Sequence, residues 1–265
     1  MLGVTGGWLR WGNMAMVEDI LRELIELSRE LGQPELDYCI LGEGNTSAHA
    51  DDSSFWVKVS GAELARADAS SFVRVEMGRV LALLEGPDLS DQAIQEALEA
   101  AKLDPAAPGR PSVETVLHAA CLALAGVRFV GHTHPTAVNA LTCSVAFEAC
   151  AGRLFPDEVV LCGPASLRVP YTDPGLPLAR AVQSRLAGYL EQYGEPPRVI
   201  LLQNHGLFAL GKSAREVAAI TAMAVKAARV LLGTYAAGGP HFLSPQAVAR
   251  IHTRPDEAYR RGKLA

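Results

Sequence analysis

From residue 113 to residue 236 the chain alternates long amphipathic runs with short apolar ones, and this alternation limits its fold more than any other feature. Apolar positions at helical spacing predict helices over 113–125, 135–143, 177–193 and 214–235. Short apolar runs predict strands over 128–133, near 158–162 and 167–171, and over 199–203. Ser213 with Glu216 forms a capping box, so the start of the last helix is well marked. Helices interleaved with strands call for an α/β domain, a mixed sheet with helices on both faces.

The first half agrees with this. Residues 16–31 carry Val17, Ile20, Leu21, Leu24, Ile25 and Leu31 at helical spacing, closed by Gly32 and Pro34. Residues 55–61 alternate like a strand, 73–83 read as a hairpin or paired strands, and 90–102 as a short amphipathic helix. The loop 104–111 precedes Ser112, a candidate N-cap. The stretch GEGNTSAH, 42–49, reads as a turn rich in donors. No linker divides the chain, so the expected division is one domain over 16–236, a leader over 1–15 and a C-terminal tail over 237–265.

Composition narrows the function. A net charge of −5 with no Lys/Arg stripe argues against a nucleic-acid partner. The apolar runs look too short to span a membrane, and residues 1–15 lack the pattern of a signal peptide. Five cysteines without a CxxC pair read as reduced, buried thiols of a cytoplasmic protein.

The chemistry concentrates in GHTHP, 131–135. His132 and His134 lie two apart on a strand, so both imidazoles point one way and can chelate one ion. A metal needs further ligands. His205, in LLQNHGLFALG, ends another apolar strand beside a glycine; it is a candidate ligand or a turn residue. Glu114, in the first turn of a helix, is a candidate ligand or a carboxylate that complements the helix dipole. His118, four residues later, competes with it for the ion. His49, His241 and His252 read as surface residues. Three histidines and a carboxylate would give Zn²⁺ a four-coordinate site whose carboxylate substrate can displace. Gly42, Gly44, Asn45, Thr46 and Ser47, and separately Ser60 with Gly61, suit an anion, because glycines let backbone N–H groups approach closely.

Taken in order, GNTS (44–47), VKVSG (57–61), PSVET (111–115), GHTH (131–134), VPYTDPG (169–175) and QNHGLFALG (203–211) resemble the class II aldolase/adducin family. The resemblance runs from about residue 17 to 236 and is greatest to the aldolase portion of bifunctional rhamnulose-phosphate aldolase/dehydrogenases. It implies a three-layer α/β sandwich around a mixed, largely antiparallel sheet. It also implies that His132, His134 and His205 bind a divalent metal, Zn²⁺ or Mn²⁺, with Glu114 as the catalytic carboxylate. The phosphate pocket falls on Gly44, Asn45, Ser60, Gly61 and Ser112. A proton-donating tyrosine is expected too: Tyr171 is nearest in motif context, and Tyr235 and Tyr259 are alternatives. The family's aldolases carry serine immediately before the glutamate, where this chain has Val113, and that costs one phosphate hydrogen bond.

The resemblance implies an enzyme that splits a ketose 1-phosphate into dihydroxyacetone phosphate and an aldehyde, with the metal as Lewis acid and Glu114 as general acid/base. The alternative keeps the site for decarboxylation or dehydration of an acid or sugar phosphate. A non-catalytic adducin-like module is a third reading. An epimerase is disfavoured, since that branch carries Asp at the position of Glu114. The expected assembly is a homotetramer acting on a small sugar phosphate.

Overall fold

A computed structural model describes residues 7–264. Runs rich in branched and aromatic side chains, which suit a pleated surface, form most of the strands. These are β1 (Asn45–Asp51), β2 (Ser54–Lys58), β3 (Phe72–Glu76), β4 (Phe129–Thr133), β5 (Leu167–Val169), β6 (Val199–Leu202) and β7 (Gly206–Gly211). They make one sheet in the order β3-β2-β1-β4-β7-β6-β5, with only β5 and β6 parallel.

The helices are α1 (Gly7–Leu31), α2 (Met77–Glu85), α3 (Asp91–Ala100), α4 (Thr115–Leu122), α5 (Thr136–Thr142), α6 (Pro156–Cys162), α7 (Leu176–Tyr193), α8 (Ala214–Ala236), α9 (Pro245–Thr253) and α10 (Pro255–Leu264). One face of the sheet carries α2, α4 and α7 over a core that includes Val57, Val75, Leu117, Val130, Leu178 and Phe208. The opposite face carries α1, α5, α6 and α8 over Leu24, Leu27, Ala48, Phe129, Leu207 and Val217. Successive strand residues feed opposite cores, as a period of two requires: Phe129 enters one and Val130 the other. Each fully buried Leu or Val contributes roughly 1.5–3 kcal/mol, so the two cores can support polar residues buried between them.

Several elements depart from the sequence expectation. The paired strands expected over 73–83 are β3 followed by α2. Val73 and Val75 alternate inward, but Met77, Val80 and Leu84 are buried at helical spacing. The strand expected near 158–162 is α6, where Pro156 opens the first turn and Asp157 and Glu158 favour a helix N-terminus over the local β-branched run. Ser112 is not the cap of α4. Glu114 holds that position, and Ser112 Oγ accepts the Glu114 amide at 3.3 Å. Most of the expected turn at 42–49 belongs to β1, and β7 was not expected as a separate strand.

His49 and His252 are half-buried rather than surface residues. His49 Nε2 lies 2.9 Å from the Leu122 carbonyl and His252 Nε2 lies 2.9 Å from Glu195. The five cysteines are free and four are buried, but Cys143 is exposed. Helix α8 corrects the membrane argument. By length and composition it could cross a bilayer, yet half of its apolar window is buried, so core packing accounts for it.

At the ends, residues 1–6 of the expected leader lie outside the described residues, and α1 begins at Gly7. The expected tail forms α9 and α10, which pack on α6. Leu243 N–H donates to the Arg153 carbonyl at 2.8 Å, and Arg260 pairs with Asp157 at 2.7 Å.

Gly131, in the central strand, lets α1 and α8 close over β4. A Cβ there would stand 2.8 Å from Val217 Cγ1 and 3.0 Å from Leu31 Cδ1. Gly131→Ala should therefore destabilise the fold by about 1–3 kcal/mol in urea titration, as overpacking does. Wild-type stability would mean that the two helices yield freely at this point.

Candidate metal centre

Strand pairing brings the site together. In the register of β1 with β4, Asn45 faces His132, and in that of β4 with β7, His132 faces Phe208. Cross-strand partners share a face, so Asn45, His132 and Phe208 lie in a row beneath α4. The His132 and Phe208 rings stack at 4.2 Å between centroids. His134 follows β4, held by its own N–H to the Tyr38 carbonyl at 2.8 Å. His205 sits in the tight turn between β6 and β7. Asn204 precedes it at φ 57°, a left-handed conformation that Asn tolerates. Gly206 follows it because a Cβ would meet the Thr133 carbonyl at 2.5 Å and the His134 ring at 2.6 Å.

His132, His134 and His205 thereby converge, with one ring nitrogen from each within 4.8 Å of the others. His132 Nδ1 donates to the Leu207 carbonyl at 2.9 Å, which leaves Nε2 with its lone pair facing the cluster. His134 Nε2 lies 2.9 Å from His132 Nε2, while Glu43 Oε1 stands 3.8 Å from the other nitrogen of His134. Burial pushes the imidazoles of His132 and His134 down to about 4, so both are neutral at neutral pH.

Glu114 completes the group from the start of α4. Its Oε2 accepts the Asn45 side-chain amide at 2.7 Å. Its Oε1 lies 3.5 Å from His132 Nε2 and 3.2 Å from His205 Nε2 with no aligned hydrogen bond. Burial pushes this carboxyl up, but His132 and His205 beside it and the Asn45 amide outweigh that, holding it below the ordinary carboxylate range. An orphaned buried acceptor costs about 1–3 kcal/mol. A divalent cation drawn to one ring nitrogen of each histidine would also answer this oxygen, so the residues present fit such an ion.

The remaining expected residues fall as follows. Gly44 is buried at φ 69°, where a Cβ would meet the His132 carbonyl at 2.6 Å. Ser60 and Gly61 lie on an exposed turn joined to the loop before α4, because Ser60 N–H donates to the Arg110 carbonyl at 2.9 Å and Val59 bridges to Pro111. Ser112 is half-buried beside them and Val113 is exposed. Tyr171 is exposed, with its hydroxyl 3.1 Å from Asp173 Oδ1. Tyr235 and Tyr259 are also exposed.

Two residues carry more weight than the sequence suggested. His118 is not one of the clustered ligands; it is fully buried and bonds to β1, with Nε2 on Asn45 Oδ1 and Nδ1 2.6 Å from Ser47 Oγ. Lys58 is buried on β2, and its ammonium donates to the carbonyls of Val59 and Ala62 on either side of the Ser60–Gly61 turn. Alternation in FWVKVS puts Lys58 on the face opposite Val57 and Val59, so the sequence carried no sign of its burial.

A sequence model of the family described as "Class II Aldolase and Adducin N-terminal domain" matches residues 22–232. The chain is 27% identical over 201 residues to an uncharacterized oxidoreductase, YuxG, of Bacillus subtilis, covering 73% of this chain and 27% of that protein. It thus spans about a quarter of the length of this curated relative. The N-terminal class II aldolase domain of a conserved protein from Thermoplasma acidophilum superposes with TM-score 0.62 at 28% identity, covering 80% of this chain and 93% of that one. An L-fuculose 1-phosphate aldolase superposes with TM-score 0.67 at 17% identity, covering 91% and 96%, a likeness of fold alone.

Replacing any of His132, His134 or His205 with Ala should abolish stoichiometric metal binding, measured by titration calorimetry with Zn²⁺; full binding by all three variants would dissolve the cluster. The buried rings also set an acid limit. His118 and His132 are both held at about 4 against an ordinary 6.5, so the unfolded chain takes up protons first as pH falls. Stability of chelator-treated protein should be complete above the ordinary value and decline toward the lowered one, by up to about 1.4 kcal/mol per pH unit for each ring. Glu114, shifted down, adds to the loss only below its ordinary 4.5. A urea midpoint that stays flat between the two histidine values would show that the rings are not buried neutral.

Proposed function

The chain belongs to the class II aldolase and adducin N-terminal domain family, and from that membership we propose that it is a metal-dependent lyase. It cleaves a ketose 1-phosphate, or a related ketose, by a retro-aldol reaction to dihydroxyacetone phosphate and an aldehyde. The observation that carries the reading is the convergence of one ring nitrogen from each of three histidines, two of which, His132 and His205, lie against a buried oxygen of Glu114 with no aligned hydrogen bond. A divalent ion held by His132, His134, His205 and Glu114, zinc on ligand type or manganese by availability, supplies Lewis-acid stabilisation of the negative charge that develops on a ketone oxygen.

The side chains handle the protons. Retro-aldol cleavage takes a proton from the hydroxyl β to the ketone, breaks the bond between the α and β carbons, and returns a proton to the α carbon. Glu114, tied through one oxygen to Asn45 and free at the other, is the proposed acid/base for the α carbon. Tyr171 is the proposed partner at the aldehyde oxygen. Gly44, Asn45, Ser60, Gly61 and Ser112 form the proposed anion pocket. Lys58 supports it with a positive charge next to the Ser60–Gly61 turn; burial lowers its ammonium to about 8, still mostly charged at neutral pH. Assembly as a homotetramer is part of the proposal, and a monomer by light scattering at micromolar concentration would count against it.

Val113 favours a second reading on the same site. An exposed valine cannot hydrogen-bond a phosphate oxygen, and the weaker pocket suits a carboxylate substrate for decarboxylation or dehydration. Retention of all four candidate ligands argues against a non-catalytic binding module.

Protein loaded with Zn²⁺ or Mn²⁺ should release dihydroxyacetone phosphate from at least one member of a panel of ketose 1-phosphates. Carbon dioxide release from a 3-oxo acid phosphate, with no cleavage across the panel, would replace the lyase reading by the second. Glu114→Gln keeps an oxygen donor but cannot carry a carboxylate's proton. It should bind metal at near full occupancy while turnover falls roughly 10²–10⁴-fold; an active variant would mean that another group moves the proton.

A further inference from the structure

His118 lies too deep to touch a substrate, yet both its ring nitrogens are engaged toward the site. It is fully buried on α4, its ring 5.2 Å from that of Phe208. Nε2 meets Asn45 Oδ1, and Nδ1 lies 2.6 Å from Ser47 Oγ. The amide of Asn45 fixes the direction of every bond in this chain. Its Nδ2 donates to Glu114 Oε2 at 2.7 Å, so its Oδ1 is the end turned to His118 and can only accept. Nε2 therefore carries the hydrogen, Nδ1 is bare, and the Ser47 hydroxyl donates to it. Ser47 and Asn45 lie two apart on β1 and share a face, which lets one imidazole bridge both.

We propose that His118 is a positioning residue for Glu114, acting through Asn45. Its N–H selects the amide orientation in which the NH₂ group meets the carboxylate; the flipped amide would turn a carbonyl oxygen toward a negative oxygen. With Oε2 held, Oε1 is left facing His132 and His205. The inference rests on the reading of Glu114 as a metal ligand and proton carrier. It adds that the orientation of Glu114 is set from a side chain four residues further along the same helix, by way of the neighbouring strand. Misplacement of a reacting group by about 1 Å can cost on the order of 10²-fold in rate.

Three arms test it on the full chain. In wild-type protein labelled with ¹⁵N-histidine, two-bond ¹H–¹⁵N correlation at neutral pH should find His118 neutral and protonated on Nε2. An Nδ1–H tautomer or a charged ring overturns the proposal, whatever the variants do. With cobalt(II) as the probe, His118→Phe should bind one ion, and its visible spectrum should move toward that of Glu114→Ala. His118→Gln, which keeps an N–H donor, should retain the wild-type spectrum. A wild-type spectrum in His118→Phe, where Glu114→Ala differs, overturns the proposal. On any substrate the wild type turns over, His118→Phe should lose about 10²-fold in kcat per bound metal with KM within about threefold, and His118→Gln should recover most of it. Unchanged kcat per bound metal assigns His118 a purely structural role and also overturns it. Failure of the wild type to take up cobalt would sink the metal reading instead, and the tautomer arm would still decide the hydrogen-bond chain.

Discussion

A carboxylate taken out of water must be answered by donors or cations, and the site of this chain is arranged around one such group, Glu114. Asn45 answers one oxygen; the other faces the imidazoles of His132 and His205, which cluster with that of His134. Each answer comes from a different part of the fold. Asn45 stands on β1, His132 on β4, His134 just past it, and His205 at the turn into β7. Strand order alone makes them neighbours, because β1, β4 and β7 are adjacent at the middle of the sheet. A sheet of the same strands in another order would leave Glu114 buried and unanswered.

The glycines beside these residues follow from the same crowding. Gly44 and Gly206 lie where the backbone comes so close to β4 that a side chain would strike a carbonyl oxygen. Gly131 does the equivalent on the opposite face, where α1 and α8 press on β4. The strand that carries His132 and leads into His134 is thus closely approached from both sides. Rigid support of this kind is what a metal site needs if its ligands are to stay aligned.

Sequence periodicity made part of this legible. Two histidines separated by one residue on an apolar run share a face whatever the sheet around them, so His132 and His134 could be paired before any fold was known. His205 required a contact between distant strands, and the ordered motifs stood in for that knowledge. The errors have physical causes. The run Val159–Val160–Leu161 has strand propensity, but the proline and acidic residues before it stabilise a helix end, and burial against α8 decided between them. The stretch GEGNTSAH reads as a turn by composition, yet Thr46 and Ser47 sit fully buried in a strand, because their hydroxyls find partners in Ser28 and His118. Spacing correctly put His118 on the same side of the helix as Glu114. It could not tell whether that side faced an ion or a strand.

The distinction matters for how stability and chemistry are divided here. His118, His132 and Glu114 are buried polar groups that, replaced together with their partners by apolar residues of similar volume, would cost folding little. They are held in place by two apolar cores and by one another. Removing a single member leaves its partners unsatisfied, which costs more than the bond itself was contributing. Such a network is tolerated as a whole or lost as a whole, and that coupling gives the site its geometry. Lys58 and Val113 stand outside it. They border the proposed anion pocket, so substitutions at either are expected to change the anion it prefers while the imidazole cluster stays in place.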